Sequence, residues 1–200
     1  MSALGSPSAV TPAAFRHGDS RPYPEGVEYR SERHEDHRMI SEVVGAAFGT
    51  HAEAELVEEI RQSEYFIPGL SVVAQSDERI VGHVMISYAT LHGPEGERRI
   101  AMLSPLAVDP AFQRRGIGSA LVRQVTVAAD TFGEPLVGLE GSPGFYGRLG
   151  FEHALLYGIE LPLPSWAPPE AAQILRLSSF TPSIRDRVEY PPPFDRFAEH

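Results

Sequence analysis

The sequence predicts an α/β chain, α+β in layout, with a mixed central sheet flanked by helices. Three observations carry that prediction. Two amphipathic helical stripes precede a series of extended apolar runs joined by tight turns. The last of those runs feeds a glycine-containing turn and a long apolar helix. A further apolar run follows that helix and completes one strand–helix–strand unit. Two hundred residues suffice for one domain with a sizeable core. The domain is predicted over residues 27–200, behind a small, polar, proline-containing segment, 1–26, that reads as a disordered tail.

The first strand is predicted over Val27 to Ser31. Glu35 and Asp36 then suit a first helical turn, where negative charge is favoured. Ile40, Val43, Val44, Ala47 and Phe48 follow at i, i+3, i+4, i+7, i+8, a single apolar stripe, and Gly49 ends it. A shorter helix is predicted from Ala52 to Ser63, with Leu56, Val57 and Ile60 on one face. Leu70 to Ala74, Ile80 to Ala89 and Ile100 to Val108 read as strands. The turns Asp77-Glu78 and Gly93 to Gly96 join them into an antiparallel meander. The helix after the glycine turn carries Ile117, Leu121, Val122, Val125, Ala128 and Ala129 on one face. Gly133-Glu134-Pro135 stops it, and Leu136 to Leu139 resumes as a strand, expected beside and parallel to its predecessor. Gly144 to Leu149 has room for at most two helical turns. Prolines then divide a C-terminal β region, about 155–200, in which Ile174 to Phe180 is the clearest strand.

Composition narrows the chemistry. A formal net charge of −10 argues against sequence-independent nucleic-acid binding, which needs clustered basic residues. There is no cysteine, and all 17 basic side chains are arginine. Disulfides, thiolate zinc sites, a cysteine nucleophile and a lysine Schiff base are therefore excluded. No run approaches the ~20 apolar residues of a membrane span, and the start has no apolar stretch like that of a signal peptide. The expected compartment is the cytoplasm, with no membrane and no nucleic acid as partner.

The most informative stretch is Gln113-Arg114-Arg115-Gly116-Ile117-Gly118-Ser119-Ala120. A strand, a glycine turn and a helix N-terminus in that order direct backbone N–H donors and a partial positive charge at one point, which suits an anion. A Walker-type loop needs lysine, and the chain has none. A dinucleotide fingerprint needs a glycine where Leu121 stands. Arg114 and Arg115 are either phosphate partners or solvated surface charge. Pro105, inside a predicted strand, marks either a bulge or an edge, because proline removes a ladder donor.

The remaining pattern, Q-x-x-G-x-G followed by a small residue and an apolar helix, resembles the acyl-CoA-binding motif of the GNAT superfamily of N-acyltransferases. Leu106-Ala107-Val108-Asp109-Pro110 resembles that family's approach strand. Pro143 to Phe151, containing Tyr146-Gly147-Arg148-Leu149-Gly150-Phe151, is similar to its later Y-x-R-x-G-F segment. Ser104 to Val108, the Gly-Ser-Pro before Phe145 and the terminal Val188-Glu189-Tyr190-Pro191 resemble YhbS-type predicted N-acetyltransferases in particular. The resemblance covers about Val27 to Phe197. It implies a GNAT-like acyl-CoA N-acyltransferase fold with acetyl-CoA as donor substrate, no metal, a small-molecule or peptide amine as acceptor, and a possible homodimer.

The resemblance also implies residue roles. Backbone groups of Leu106 and Val108, in the segment Leu106-Ala107-Val108, would hold the pantetheine arm. Gln113 opens the loop, and amides of Arg114, Arg115, Gly116, Ile117, Gly118 and Ser119 would cradle the CoA pyrophosphate, with the Ser119 hydroxyl as a further donor. A bulge at Pro105 would free donors for the thioester carbonyl. Tyr146 would protonate the departing thiolate; its other reading is a packed core tyrosine. A Tyr hydroxyl of pKa ~10 can donate to a thiolate near ~8.5. Without a cysteine, direct attack by the amine is the natural route. No base is assigned: Glu140 is one candidate, although a carboxylate at a strand end is ordinarily solvated; His51 and His153 are others, although each reads rather as surface or structural; and many members of the family use water. The rival reading is a non-catalytic acyl-CoA-binding domain. His34 and His37 lack the spacing of a helical zinc pair, and Trp166, among prolines, either lines an acceptor pocket or anchors the C-terminal segment, the second being the expected role.

Overall fold

The computed structural model describes residues 23–197. Residues 1–22 of the expected tail lie outside the described residues. The end of that tail is packed: a turn at Glu25-Gly26 follows Tyr23, whose ring lies 5.5 Å from that of Tyr29.

Strand β1 (Glu28–Ser31) leads through a 3₁₀ turn (His34–Asp36) into α1 (His37–Phe48) and α2 (Ala52–Arg61). Asp36 is buried because it works as a joint: it accepts from the Arg33 N–H at 2.7 Å and from both ends of the Arg30 guanidinium at 2.6 and 2.9 Å. Gly49, at φ 75°, takes the left-handed conformation that ends α1. Ile40, Val43 and Val44 are buried as their spacing predicts, whereas Phe48 is exposed. The stripe drifts off the sheet in its last turn.

The meander follows as β2 (Phe66–Ser76), β3 (Arg79–Gly93) and β4 (Gly96–Val108), all antiparallel. Helix α3 (Ile117–Thr131) then crosses to β5 (Leu136–Glu140), which lies parallel to β4 as expected. A single helical turn, α4 (Pro143–Tyr146), leads to the short strands β6 (Glu152–His153), β7 (Ile159–Glu160), β8 (Ala172–Arg176) and β9 (Asp186–Glu189). The late strand thus ends at Arg176 rather than at Phe180. Leu177 turns away to donate its N–H to Pro135, and Asp130 captures Ser178.

The sheet runs β1-β2-β3-β4-β5-β8-β6. β9 returns to the far end of β3, pairing at Thr90 to His92 beyond the point where β2 stops, and β7 lies parallel to β9. Alternation of side chains along each strand divides the core between two faces. α3 covers one, burying Ile117, Leu121, Val122, Val125 and Ala129 against Val84, Ile86, Val137 and Leu139. α1 and α2 cover part of the other over Val73, Met85 and Ala107. The C-terminal strands cover the remainder over Ala89, Leu91, Met102 and Leu136. α3 packs close to β3 at Gly82: a Cβ there would stand 2.9 Å from a Leu121 methyl. Trp166 does not anchor the C-terminal segment; it is 79% exposed.

A buried polar network fastens α2 and β1 to the sheet. Glu32 accepts from Arg61 at 2.8 and 3.0 Å and from the Ser71 hydroxyl at 2.6 Å, and Ser71 in turn meets His83 Nε2 at 2.9 Å. Since the Ser71 proton goes to Glu32, His83 donates through Nε2–H. Burial depresses the His83 pKa. Burial would raise that of Glu32, but hydrogen bonds from His83, Arg61 and Ser71 hold it well below the usual carboxylate range.

Candidate active site

The site is built where β4 and β5 part. They pair at only two positions, Ala101–Val137 and Met102–Gly138. Beyond Met102, β4 carries one extra residue: Val84 faces Leu106 while Ile86 faces Leu103. This is the bulge that Pro105 suggested, and the core shows its effect. Ala101 and Leu103 point toward α3, and so do Leu106 and Val108, so facing switches from odd to even numbers across Ser104-Pro105. The backbone switches with it. Gly82 stands opposite Val108, and the Asp109 N–H bonds the Val81 carbonyl at 2.9 Å. That makes 82/108 a non-hydrogen-bonded pair, and 84/106 likewise by alternation. The N–H and C=O of Leu106 and Val108 therefore face away from β3, along the edge that β5 has vacated. Ala107, between them, spends its backbone groups on His83 and its methyl on the opposite core.

The loop after β4 is held by its own side chains. Asp109 accepts from the Ala111 N–H at 2.8 Å, and Gln113 Nε2 donates to the Val108 carbonyl at 3.1 Å. Gln113 thus ties the loop to the strand edge. Arg115 donates to the Ala111 carbonyl at 2.8 Å and lies 5.1 Å over the Phe112 ring, so its charge stays within the loop. Arg114 is exposed on a backbone at φ 60°, and Gly116 follows at φ 88°. The two reversals turn the chain into α3. Its first backbone bond is Ala120 N–H to Gly116 C=O, 3.0 Å. The N–H groups of Ile117, Gly118 and Ser119 have no partner within the helix, and Gly116 has no side chain to cap them. A Cβ on Gly118 would lie 3.6 to 3.9 Å from Val108, Phe145 and Leu106, so helix start, strand edge and the α4 turn meet there.

Tyr146 closes the third side. Its ring packs edge-on against Phe145 and Phe151 at 4.8 and 5.5 Å and lies directly over Gly141, where any Cβ would collide with it. Burial pushes its pKa up to about 12. The hydroxyl therefore holds its proton at neutral pH.

The structure changes the standing of a group that the sequence offered as a base without assigning it. Glu140, at the end of β5, is half-buried rather than solvated, and the Tyr190 hydroxyl donates to its Oε1. Burial raises the Glu140 pKa and the Tyr190 hydrogen bond partly offsets that. The two residues are 50 apart in sequence. The only hint was that Tyr190 falls in the terminal segment already singled out by resemblance. His153 pairs across to Gln173 in β8, and His51 immediately precedes α2, makes no side-chain capping bond, and lines a cleft of about 330 Å³ between α1 and α2 with His37, Glu55, Glu58 and Arg61. That cleft shares no lining residue with the loop or with Tyr146.

A family model described as an acetyltransferase (GNAT) domain matches residues 28–154. The chain belongs to the GNAT acetyltransferases. The match ends at the start of the C-terminal strands and contains the wedge between the parting strands β4 and β5, the loop, Glu140 and Tyr146. The uncharacterized N-acetyltransferase YjhQ of Escherichia coli (strain K12) is 35% identical over 113 residues, which is 56% of this chain and 62% of that relative. The matched stretch is thus under two thirds of its length. Among solved structures, the Escherichia coli GNAT family N-acetyltransferase YhbS in complex with CoA superposes with a TM-score of 0.78 at 27% identity, over 90% of this chain and 98% of that one. A GNAT family acetyltransferase from Brucella melitensis in complex with acetyl-CoA gives 0.67 at 27% identity, over 84% and 98%. The mixed sheet with flanking helices is the GNAT fold. No helix among the described residues is long and apolar enough to cross a membrane.

Proposed function

We propose that this protein is an N-acetyltransferase that moves acetyl from acetyl-CoA directly to a primary amine in the cytoplasm. The observation that carries the reading is the meeting of three features at Gly118: outward backbone groups of Leu106 and Val108, the open N-terminus of α3, and the turn bearing Tyr146. A pantetheine arm can pair with the first as an added strand. A pyrophosphate suits the second. The third supplies a proton. The complexes of YhbS with CoA and of the Brucella protein with acetyl-CoA support the donor.

The chain's own residues then perform the transfer without an acyl-enzyme. The amine lone pair attacks the thioester carbonyl, and donors freed at the Ser104-Pro105 bulge stabilise the developing oxyanion. The C–S bond breaks with its electron pair on sulfur, and the Tyr146 hydroxyl gives that sulfur its proton. A phenol held near pKa 12 protonates a thiolate of ordinary pKa ~8.5 only against an uphill gradient. That uphill transfer is offset by collapse of the tetrahedral intermediate, in which the carbonyl re-forms as an amide while the C–S bond breaks.

Thiol release from acetyl-CoA against a panel of alkylamines, amino-acid amides and short peptides tests the reading. Acceptor-dependent release is the expected result; tight CoA binding with no release for any amine would favour a binding domain instead. Tyr146→Phe should lower kcat about 10²-fold or more while leaving CoA affinity by calorimetry nearly unchanged.

A further inference from the structure

We propose that Glu140 is the carboxylate that receives the acceptor's ammonium group and takes its proton, and that Tyr190 is the residue that positions it. The proposal rests on the acetyltransferase reading and deepens it.

Placement comes first. Val137 and Leu139 point to the α3 face, so Glu140 points to the other, the face shared by α1, α2 and the C-terminal segment. It stands two residues beyond the last β4–β5 pair, where the wedge is open. The CoA loop and the ring of Tyr146 belong to the α3 side. A nucleophile held at Glu140 would therefore approach the thioester from the face opposite the donor.

The second argument is an absent counter-charge. The other inward carboxylates have cations: Glu32 has Arg61 and Asp36 has Arg30. Glu140 is half-buried with no ion pair among the described residues. Tyr190 is the ionisable group acting on it, β8 brings Ala172 alongside, and Gln173 is engaged with the Gly141 carbonyl. Tyr190 occupies Oε1, and no described residue bonds Oε2. A desolvated carboxylate with one oxygen fixed and one free suits an incoming cation.

Third, Tyr190 is itself held. β9, just before it, is paired to β3; its ring lies 5.2 Å from Phe194, which packs on the α1–α2 core; and Arg196 bonds the Ala52 carbonyl at 3.2 Å, Glu55 at 2.9 Å and Glu59. The segment thus straps from β3 to α2 and sets Tyr190 against Glu140 on its way.

The step balances. Glu140 takes one proton from the ammonium and passes it to water. The freed lone pair forms the C–N bond, the C–S bond breaks, and Tyr146 protonates the sulfur. The proton left on the new amide nitrogen returns through water to the Tyr146 oxygen. Ammonium and thioester become amide, thiol and one released proton.

The test is the pH profile of kcat/KM with the fastest amine of the panel, for wild type, Glu140→Gln and Tyr190→Phe, with CoA binding measured alongside. Glu140→Gln should lose about 10²-fold or more at neutral pH and lose the acidic limb, with CoA affinity within twofold. Tyr190→Phe removes a donor that favours the carboxylate, so its acidic limb should move to higher pH while the alkaline rate recovers. An active wild type whose Glu140→Gln variant keeps both rate and limb overturns the proposal alone. A Tyr190→Phe loss equal at every pH, with the limb unmoved, overturns the positioning role. A wild type that binds CoA and acetylates no amine overturns both the proposal and the reading beneath it.

Discussion

At the scale of single residues, what distinguishes the site is how little freedom its groups retain. Gln113 is committed to Val108, Arg115 to Ala111, and Tyr146 to the space that Gly141 leaves open. The last of these is testable. Gly141→Ala would drive a methyl into the Tyr146 ring, so kcat should fall by at least tenfold while CoA binding, measured by calorimetry, holds. An unchanged kcat would mean that the ring does not need its present place. The candidate residues were legible in sequence to the extent that their chemistry is contiguous. Gln113 to Ser119 and Tyr146 could be named because a loop and a turn are local objects. The duties of Gln113 and Arg115 were not legible, since either side chain can reach a ligand or its own backbone and only geometry decides. Glu140 looked like a solvated strand end because nothing in the pattern near it announces Tyr190.

At the scale of elements, α3 does two jobs that can be separated. Its apolar face packs the sheet, and its N-terminus is left open. At Gly118 an alanine methyl would meet Val108, Phe145 and Leu106 at ordinary contact distance. Alanine is also preferred over glycine inside helices by up to about 1 kcal/mol. Gly118→Ala should therefore raise or hold the melting temperature while weakening CoA binding, and Gly118→Glu should abolish binding, since it adds bulk and negative charge where a pyrophosphate is expected. Normal CoA affinity in Gly118→Glu would displace the loop from the donor site. The same scale shows which elements sequence could reveal. The two stripes, the meander and the parallel β4–α3–β5 unit follow from periodicity over long runs, and Pro105 gave away the bulge. The C-terminal strands are two to five residues long, too short for a period to register. The return of β9 to β3 joins residues about 97 apart, a pairing that no local pattern encodes.

At the scale of the whole molecule, the Glu32–Ser71–His83–Arg61 network makes stability depend on pH. Burial lowers the pKa of His83 from its ordinary 6.5, burial and Arg61 lower that of His37, and hydrogen bonds hold Glu32 below its ordinary 4.5. For all three, the unfolded chain binds protons that the folded chain does not, so acid favours unfolding. Stability is present above pH 6.5 and should decline as the pH falls below it, then decline again below 4.5, with a slope of at most about 1.4 kcal/mol per pH unit for each group in its window. Urea midpoints measured from pH 7.5 to 4 check this; His83→Gln should flatten the upper part of the decline, and a wild-type midpoint constant from pH 7.5 to 5.5 would refute it. The bulge in β4 carries a consequence of another kind. It acts as a change of reading frame within one strand: before Ser104-Pro105 odd residues face α3, and after it even ones do. Removing a single residue there would cancel the change of frame: Leu106 would stand two places from Leu103, both would still face α3, and β3 and β4 would pair without a bulge. Length is therefore as strictly specified at this point as any side chain. A chain one residue shorter would keep its sheet and lose the bulge on which the proposed transfer relies.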